Sequence, residues 1–389
     1  MTWNVVLILI FILENVFINV DQKISEKRAF TNFGETKYNR NRRNVMINQR
    51  LKWTFPIYYV VDRSISKIKV MKALYGIEKE TCVRFKQVKT KIPGISTLRY
   101  YKGPDCSSFL GKNENQPWNN ISIFADCNTV GGIQHETLHA LGIDHEHSRY
   151  DRDYYLRMHF NNMFPAARES FEKASYVNST TYGLSYDYGS LMHYGTKYYT
   201  RNGKDVMVPK DRLYRETIGS LERLSFLDIK TINLHYCRST CFNRLVCDNW
   251  SYQDPNNCRC KCVYGYTGPL CNKFQYATNL CGQTLFVATK MARALRKTGK
   301  KNCVYHIKAP ENNRVLLKIV SSKVYPNDFE YCHYSNSLEV KFWVDKSATG
   351  ARFCGNDRNI SITSKDNHIM VIFRSTWNKN KFNIVYKSI

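Results

Sequence analysis

Beyond its first residues the chain has no stretch that is apolar over the roughly 18 positions a membrane helix needs, so no membrane span is expected. The early apolar run, Val5 to Leu13, is too short to cross a bilayer. It fits the core of a secretory leader over residues 1–20, although no Lys or Arg precedes it. Acidic residues are scarce: 32 Asp and Glu stand against 58 Lys and Arg, for a net charge of +26. The basic residues are scattered and no stacking aromatic motif accompanies them. A nucleic-acid partner is therefore not expected, and adsorption to acidic matrix or plain solubility is the better reading. Paired C-x-x-C knuckles are absent, which speaks against a zinc ribbon. No cysteine is left over either. Fourteen of them in an exported chain predict seven disulfides and a secreted, extracellular product. The sequons at Asn120, Asn178, Asn249 and Asn359 agree with that route. At 389 residues, two or three domains are expected.

What is present is concentrated in one string, His135-Glu136-Thr137-Leu138-His139-Ala140-Leu141-Gly142-Ile143-Asp144-His145. On a helix, His135 and His139 project from one face, one turn apart. Gly142 can take the positive φ that stops a helix and lets the chain bring His145 to the same point. Three neutral imidazoles leave the fourth position of a zinc ion open, as in catalytic rather than structural sites. Glu136 stands beside the pair. A carboxylate there can take a proton from water without using a zinc position. Downstream, Ser190-Leu191-Met192-His193-Tyr194 has the form of a Met-turn, with Met192 as an apolar floor under the imidazoles. His147 and His193 adjoin these residues at the wrong offset for the same ion and read as supporting or surface residues.

The string continues as Glu146-His147-Ser148-Arg149-Tyr150-Asp151-Arg152-Asp153, and Tyr186-Asp187-Tyr188-Gly189 leads into the Met-turn. Trp53, the run Pro56 to Asp62, Cys106-x-Ser108-x-x-Gly111 and Cys127-x-x-x-Gly131-x-Ile133 complete a pattern. From Asn44 to Cys237 the chain resembles the astacin family of zinc endopeptidases, a branch of the metzincins. The resemblance implies an α+β, two-lobed catalytic domain over 44–237, with one Zn2+ on His135, His139 and His145. It implies hydrolysis of extracellular proteins or peptides, with Glu136 priming the water and Tyr194 as the donor to the developing oxyanion. It also implies the disulfides Cys82–Cys237 and Cys106–Cys127. One segment departs from the pattern. Where the family carries I-G-Q-R-x-G-L-S, this chain has Ile218-Gly219-Ser220-Leu221-Glu222-Arg223-Leu224-Ser225, so subsite rules do not transfer.

Residues 21–43 read as a propeptide ending in Arg40-Asn41-Arg42-Arg43, an R-x-R-R string of the kind cut by furin-like convertases. Cleavage after Arg43 would make Asn44 the new amino terminus. In the family that freed end tucks inside and meets the residue matching Glu146. The resemblance therefore makes Glu146 part of activation rather than of catalysis. The family's F-x-G-D latency string has a degenerate counterpart in Asn32-Phe33-Gly34-Glu35, with Glu35 in the acid's place.

Within the catalytic segment, Ile57 to Val61 reads as a strand. Ile68, Met71, Tyr75 and Cys82 have helical spacing and predict a helix packed behind the sheet. Ile121 to Phe124 reads as a strand, by resemblance the edge that pairs with an extended substrate. A helix is expected near Leu224 to Leu234. Residues 238–272 resemble a small, disulfide-rich EGF-like module, which implies Cys241–Cys258, Cys247–Cys260 and Cys262–Cys271. Residues 281–389 alternate in strand fashion and resemble a CUB domain, an all-β sandwich that could serve a matrix or protein partner. Cys281…Cys303 and Cys332…Cys354, which repeat one spacing, are part of that resemblance. Many such domains bind calcium through an aspartate just ahead of the L-E-V string. Asn336 stands there, so calcium is not expected.

Overall fold

The β-branched and aromatic run Ile57–Val61 forms strand β1 of a five-stranded sheet. The structure is a computed structural model that describes Val45 and residues 49–389 except Pro117. Val5 to Leu13, Glu35, Arg43 and Asn44 lie outside those residues. The other strands are β2 (Phe85–Gln87), β3 (Thr97–Lys102), β4 (Ser107–Ser108) and β5 (Asn119–Ile123), ordered β2-β1-β3-β5-β4. All neighbours run parallel except β4, which is antiparallel to β5. This corrects the expected edge. β5 is paired on both sides, and the outer strand is the two-residue β4. The Cys106–Cys127 disulfide and the Ser122 hydroxyl, which donates to Asp105 O at 2.6 Å, fold residues 105–108 back over β5.

Helix α1 (Lys67–Glu78) forms where predicted, but with its other face inward. Ile68, Met71 and Tyr75 are 66%, 48% and 64% exposed, and Cys82 lies beyond the helix end. The buried stripe is Val70, Ala73, Leu74 and Ile77. Both stripes have helical period, so spacing alone could not choose between them. Small residues decided it: at Ala73 the next helix comes close enough for Gln134 Nε2 to donate to Ala73 O at 3.1 Å.

That next helix, α2 (Val130–Ala140), starts at Thr129, whose hydroxyl accepts from Gly132 N. It carries His135 and His139. An apolar core gathers α1, α2 and the sheet around Leu98, Tyr100, Ile121, Leu138 and Met192. The chain from His145 to Ser225 has little regular structure and closes on α3 (Phe226–Tyr236). Ser225 and Asp228 form a reciprocal capping box at the start of α3.

Beyond Cys237, the Cys-rich stretch forms two short ribbons, 252–253 with 260–261 and 266–267 with 273–274. The last segment is a two-sheet sandwich. One sheet has five strands, with Lys301–Lys308, His368–Ser375 and Ser337–Lys341 in its centre; the other has four, centred on Lys381–Ser388 and Val315–Val324. Seven disulfides join Cys82–Cys237, Cys106–Cys127, Cys241–Cys258, Cys247–Cys260, Cys262–Cys271, Cys281–Cys303 and Cys332–Cys354. The first five are the pairs the resemblance implies. The Cys-rich stretch has almost no core of its own. Its short closed loops each stabilise by roughly 3 kcal/mol in the chain-entropy account, and Val263 and Tyr266 bury themselves against Val304, Met370 and Ile372 of the sandwich. Asn120, Asn178 and Asn359 are exposed, whereas the Asn249 amide donates to Cys271 O at 2.8 Å.

Candidate metal centre

Helix α2 ends where Gly142 adopts φ +86°, with its amide and that of Ile143 donating to His139 O and Leu138 O. This turn returns the chain so that His145 faces the helix. The Nε2 atom of His145 lies 3.2 Å from Nε2 of His135 and 3.1 Å from Nε2 of His139. The other ring nitrogens are engaged by acceptors. His135 Nδ1 faces Leu191 O at 2.8 Å, His139 Nδ1 faces Ile143 O at 2.9 Å, and His145 Nδ1 faces Asp144 Oδ1 at 3.5 Å. Carbonyl oxygens only accept, so Nδ1 of His135 and of His139 carries the proton and their Nε2 atoms turn lone pairs toward His145. Such convergence is repulsive without a cation. Ligands about 2.0–2.1 Å from a tetrahedral zinc would stand about 3.3 Å apart, close to the spacing seen. Burial holds the His135 pKa down to about 4, keeping the ring neutral as a ligand must be. The triad therefore fits a zinc ion, with backbone carbonyls orienting two of its rings.

The turn beneath the imidazoles is fastened by a residue that the sequence reading passed over. Asp228 accepts from Ser190 Oγ at 2.6 Å and from Leu191 N at 2.8 Å while it caps α3. Its signal was present as the Ser225-x-x-Asp228 capping string. Burial, with Asp187 nearby, raises its pKa to about 6. Met192 is buried among the core residues of the sheet lobe, and its carbonyl accepts from Glu146 N at 2.9 Å.

Glu136 is buried on α2, next to His135. Tyr194 packs its ring 4.3 Å from that of His145 and 4.2 Å from that of His147. His147 and His193 are both buried rather than on the surface. His193 bonds to Tyr186 OH and Tyr194 O, and His147 Nε2 lies 3.2 Å from Ser170 O. Glu146 accepts from Arg149 Nη1 at 3.1 Å and from Asp187 N at 2.9 Å. Burial pushes its pKa up to about 7, against the pull of Arg149. Val45 is fully buried and bridges Ile143 in antiparallel fashion, which sets it beside the turn that leads to the third histidine. A second cluster of ligand-type residues, Glu216 with Cys332 and Cys354, is no metal site because the two sulfurs form a disulfide. Asn336 Oδ1 accepts from Thr376 and from Asn380 Nδ2, tying together loops of the sandwich.

A three-histidine cluster, two of its rings on a helix beside a mixed sheet and the third on the turn that follows, fits a catalytic zinc centre. Residues 45–237 match the Astacin peptidase family, and residues 289–386 match the CUB domain. Through its first domain the chain belongs to the astacin family. It is 35% identical over 342 residues to zinc metalloproteinase nas-34 of Caenorhabditis elegans, covering 86% of this chain and 55% of that protein. With nas-37 of the same organism it shares 33% identity over 82% of this chain and 41% of that protein. The chain spans about half the length of these curated relatives. Among solved structures it is similar to high choriolytic enzyme 1, a hatching enzyme zinc-protease from Oryzias latipes (Medaka fish). The identity is 31%, over 46% of this chain and 88% of that one, with a TM-score of 0.42.

Proposed function

We propose that the chain is a secreted zinc endopeptidase that cleaves extracellular proteins or peptides and is made as a latent precursor opened after Arg43. The observation that carries this reading is the convergence of three Nε2 atoms, with Nδ1 of His135 and of His139 each held by a backbone carbonyl. Zinc, when bound there, supplies a Lewis acid that makes water acidic enough to ionise near neutral pH. His135, His139 and His145 hold it as neutral ligands. Glu136 takes the water's proton and returns it to the leaving amine nitrogen. Tyr194 donates its phenolic hydrogen to the oxyanion that forms on the scissile carbonyl. Met192 packs beneath the rings and takes no part in proton transfer.

In this reading the segments are a leader (1–20), a propeptide (21–43), the peptidase domain (44–237), an EGF-like module (238–272) and the CUB domain (281–389). Export is supported by the pairing of all fourteen cysteines. Among the described residues no helix is long and apolar enough to cross a membrane. Processing by a furin-like convertase is supported by the Arg40-Asn41-Arg42-Arg43 string, which ends two residues before the buried Val45. Cleavage there makes Asn44 the amino terminus, and the family resemblance assigns Glu146 as the residue that receives it. The test is cleavage of a peptide library by secreted material beginning at Asn44, with and without chelator. Chelator-sensitive cleavage is expected, and cleavage that persists after complete zinc removal refutes the reading. Arg43→Ala should give a longer, latent product on a gel.

A further inference from the structure

The lobe formed by Leu156 to Ile218 and the CUB sandwich share one apolar core. Tyr188 and Tyr214 of the lobe pack on Trp343 of the sandwich, with ring centroids 5.8 and 5.2 Å apart. Polar contacts surround this core. Tyr334 N donates to Glu222 Oε2 at 2.6 Å, and the Arg223 guanidinium lies 4.4 Å over the Tyr334 ring. Cys332 N donates to Glu216 O at 2.7 Å, and Arg352 N to Thr217 Oγ1 at 2.9 Å. Glu222 and Arg223 belong to the segment that departs from the family pattern. The departure is where the sandwich docks.

One contact leads straight to the metal centre. Asp187 Oδ1 accepts from Gly189 N and from Thr349 N of the sandwich, each at 3.0 Å. The two segments meet as closely as a glycine allows, because a Cβ on Gly189 would stand 2.4 Å from Thr349 Cγ2. Asp187 is buried, and its Oδ2 has no hydrogen-bond partner, so the carboxylate depends on those two amides. Asp187 N in turn donates to Glu146, which adjoins His145 and whose own amide holds Met192 O.

We propose that the CUB sandwich is a positioning element of the zinc site, docked through Trp343, Thr349 and Tyr334 so that Asp187 and the turn beneath the imidazoles are held in working geometry. The proposal rests on the peptidase reading above and adds to it. The sandwich matters even for a peptide too short to touch it. A tail that only recruits substrates would leave such a peptide unaffected.

The test uses the full processed chain and a short fluorogenic peptide. Trp343→Ala should lower kcat by ~10-fold or more, the scale of effect that slight misplacement of a site produces. KM should stay within about twofold, as for a change felt in the transition state alone. Zinc should still bind, one per chain, but leave faster to a competing chelator. Trp343→Phe should restore most of both properties. Glu222→Ala, which removes the acceptor for Tyr334 N and Ser335 N and the carboxylate beside His333, should give a smaller change of the same kind. Calorimetry of the wild type should give a single transition covering both domains. Wild-type kcat and zinc release in both alanine variants overturn the proposal, as do two separate transitions in the wild type. If Trp343→Ala does not fold, Glu222→Ala and the wild-type calorimetry decide. A wild type that cleaves no peptide fails the peptidase reading instead; zinc release and calorimetry then still decide the docking.

Discussion

Two clusters of buried histidines sit in this molecule, with ring nitrogens at the same separation and opposite chemistry. In the first, Nε2 of His145 stands 3.1–3.2 Å from its two neighbours. In the second, His306 Nδ1 stands 3.1 Å from His368 Nε2 in the CUB sandwich. The difference lies in what the remaining nitrogens meet. His306 Nε2 faces Gly265 O at 2.9 Å and so carries the proton. Its Nδ1 is then an acceptor, and His368 Nε2–H fills it. That pair is closed and neutral, and needs no ion. In the triad Nδ1 of His135 and of His139 is committed to a carbonyl oxygen, and their Nε2 lone pairs are left facing His145 Nε2. Proximity of histidines does not make a metal site; the tautomer imposed by the surrounding oxygens does.

The largest effect should separate the two clusters outright. His139→Ala should lose stoichiometric zinc and reduce peptide cleavage to background, whereas His368→Ala should keep both. Zinc retained in His139→Ala, by elemental analysis, would erase the distinction. Next, Glu136→Ala should keep one zinc per chain while kcat/KM falls by ~10²–10⁴, the range for a lost general base. Substantial residual turnover would remove Glu136 from that role. Tyr194→Phe should lower kcat by about 10², the scale for one oxyanion donor, with metal content unchanged. A wild-type kcat/KM would end the assignment.

The smallest effect concerns pH and belongs to the CUB pair. Burial lowers the pKa of His306 to about 4 and that of His368 to about 2, with nearby Lys346 adding to the shift on His368. The unfolded chain takes up protons near pH 6.5 while the folded one does not. Their contribution to stability is therefore intact above about pH 6.5 and lost progressively as pH falls toward 4. Replacing both rings, as in His306→Phe with His368→Leu, should flatten the fall in Tm over that window by a few degrees. An unchanged slope would show that the pair does not stay neutral.

Much of the first cluster was legible before any coordinates, because its geometry is local. His135 and His139 are one helical turn apart, and Gly142 supplies the turn that returns His145. Asp228 was legible in principle, as the third residue of a capping string, but nothing local said that it also bonds Leu191. The face of α1 was not legible: Ile68, Met71 and Tyr75 repeat as well as Val70, Ala73 and Ile77 do. The choice fell to the stripe that let Gln134 of α2 approach Ala73. The edge strand was misplaced for a similar reason. Only the fold-back of residues 105–108 covers β5.

By itself the sequence determined the ligand set, the turn that assembles it and, through family resemblance, most of the disulfide pairs. The first two depend on spacings of a few residues, where backbone geometry leaves little freedom. Tertiary structure alone decided which helix face is inside, which histidine nitrogens hold protons, and that Thr349 touches Asp187 from 162 positions away. Contacts at that separation follow from how whole surfaces pack, and no local pattern encodes them.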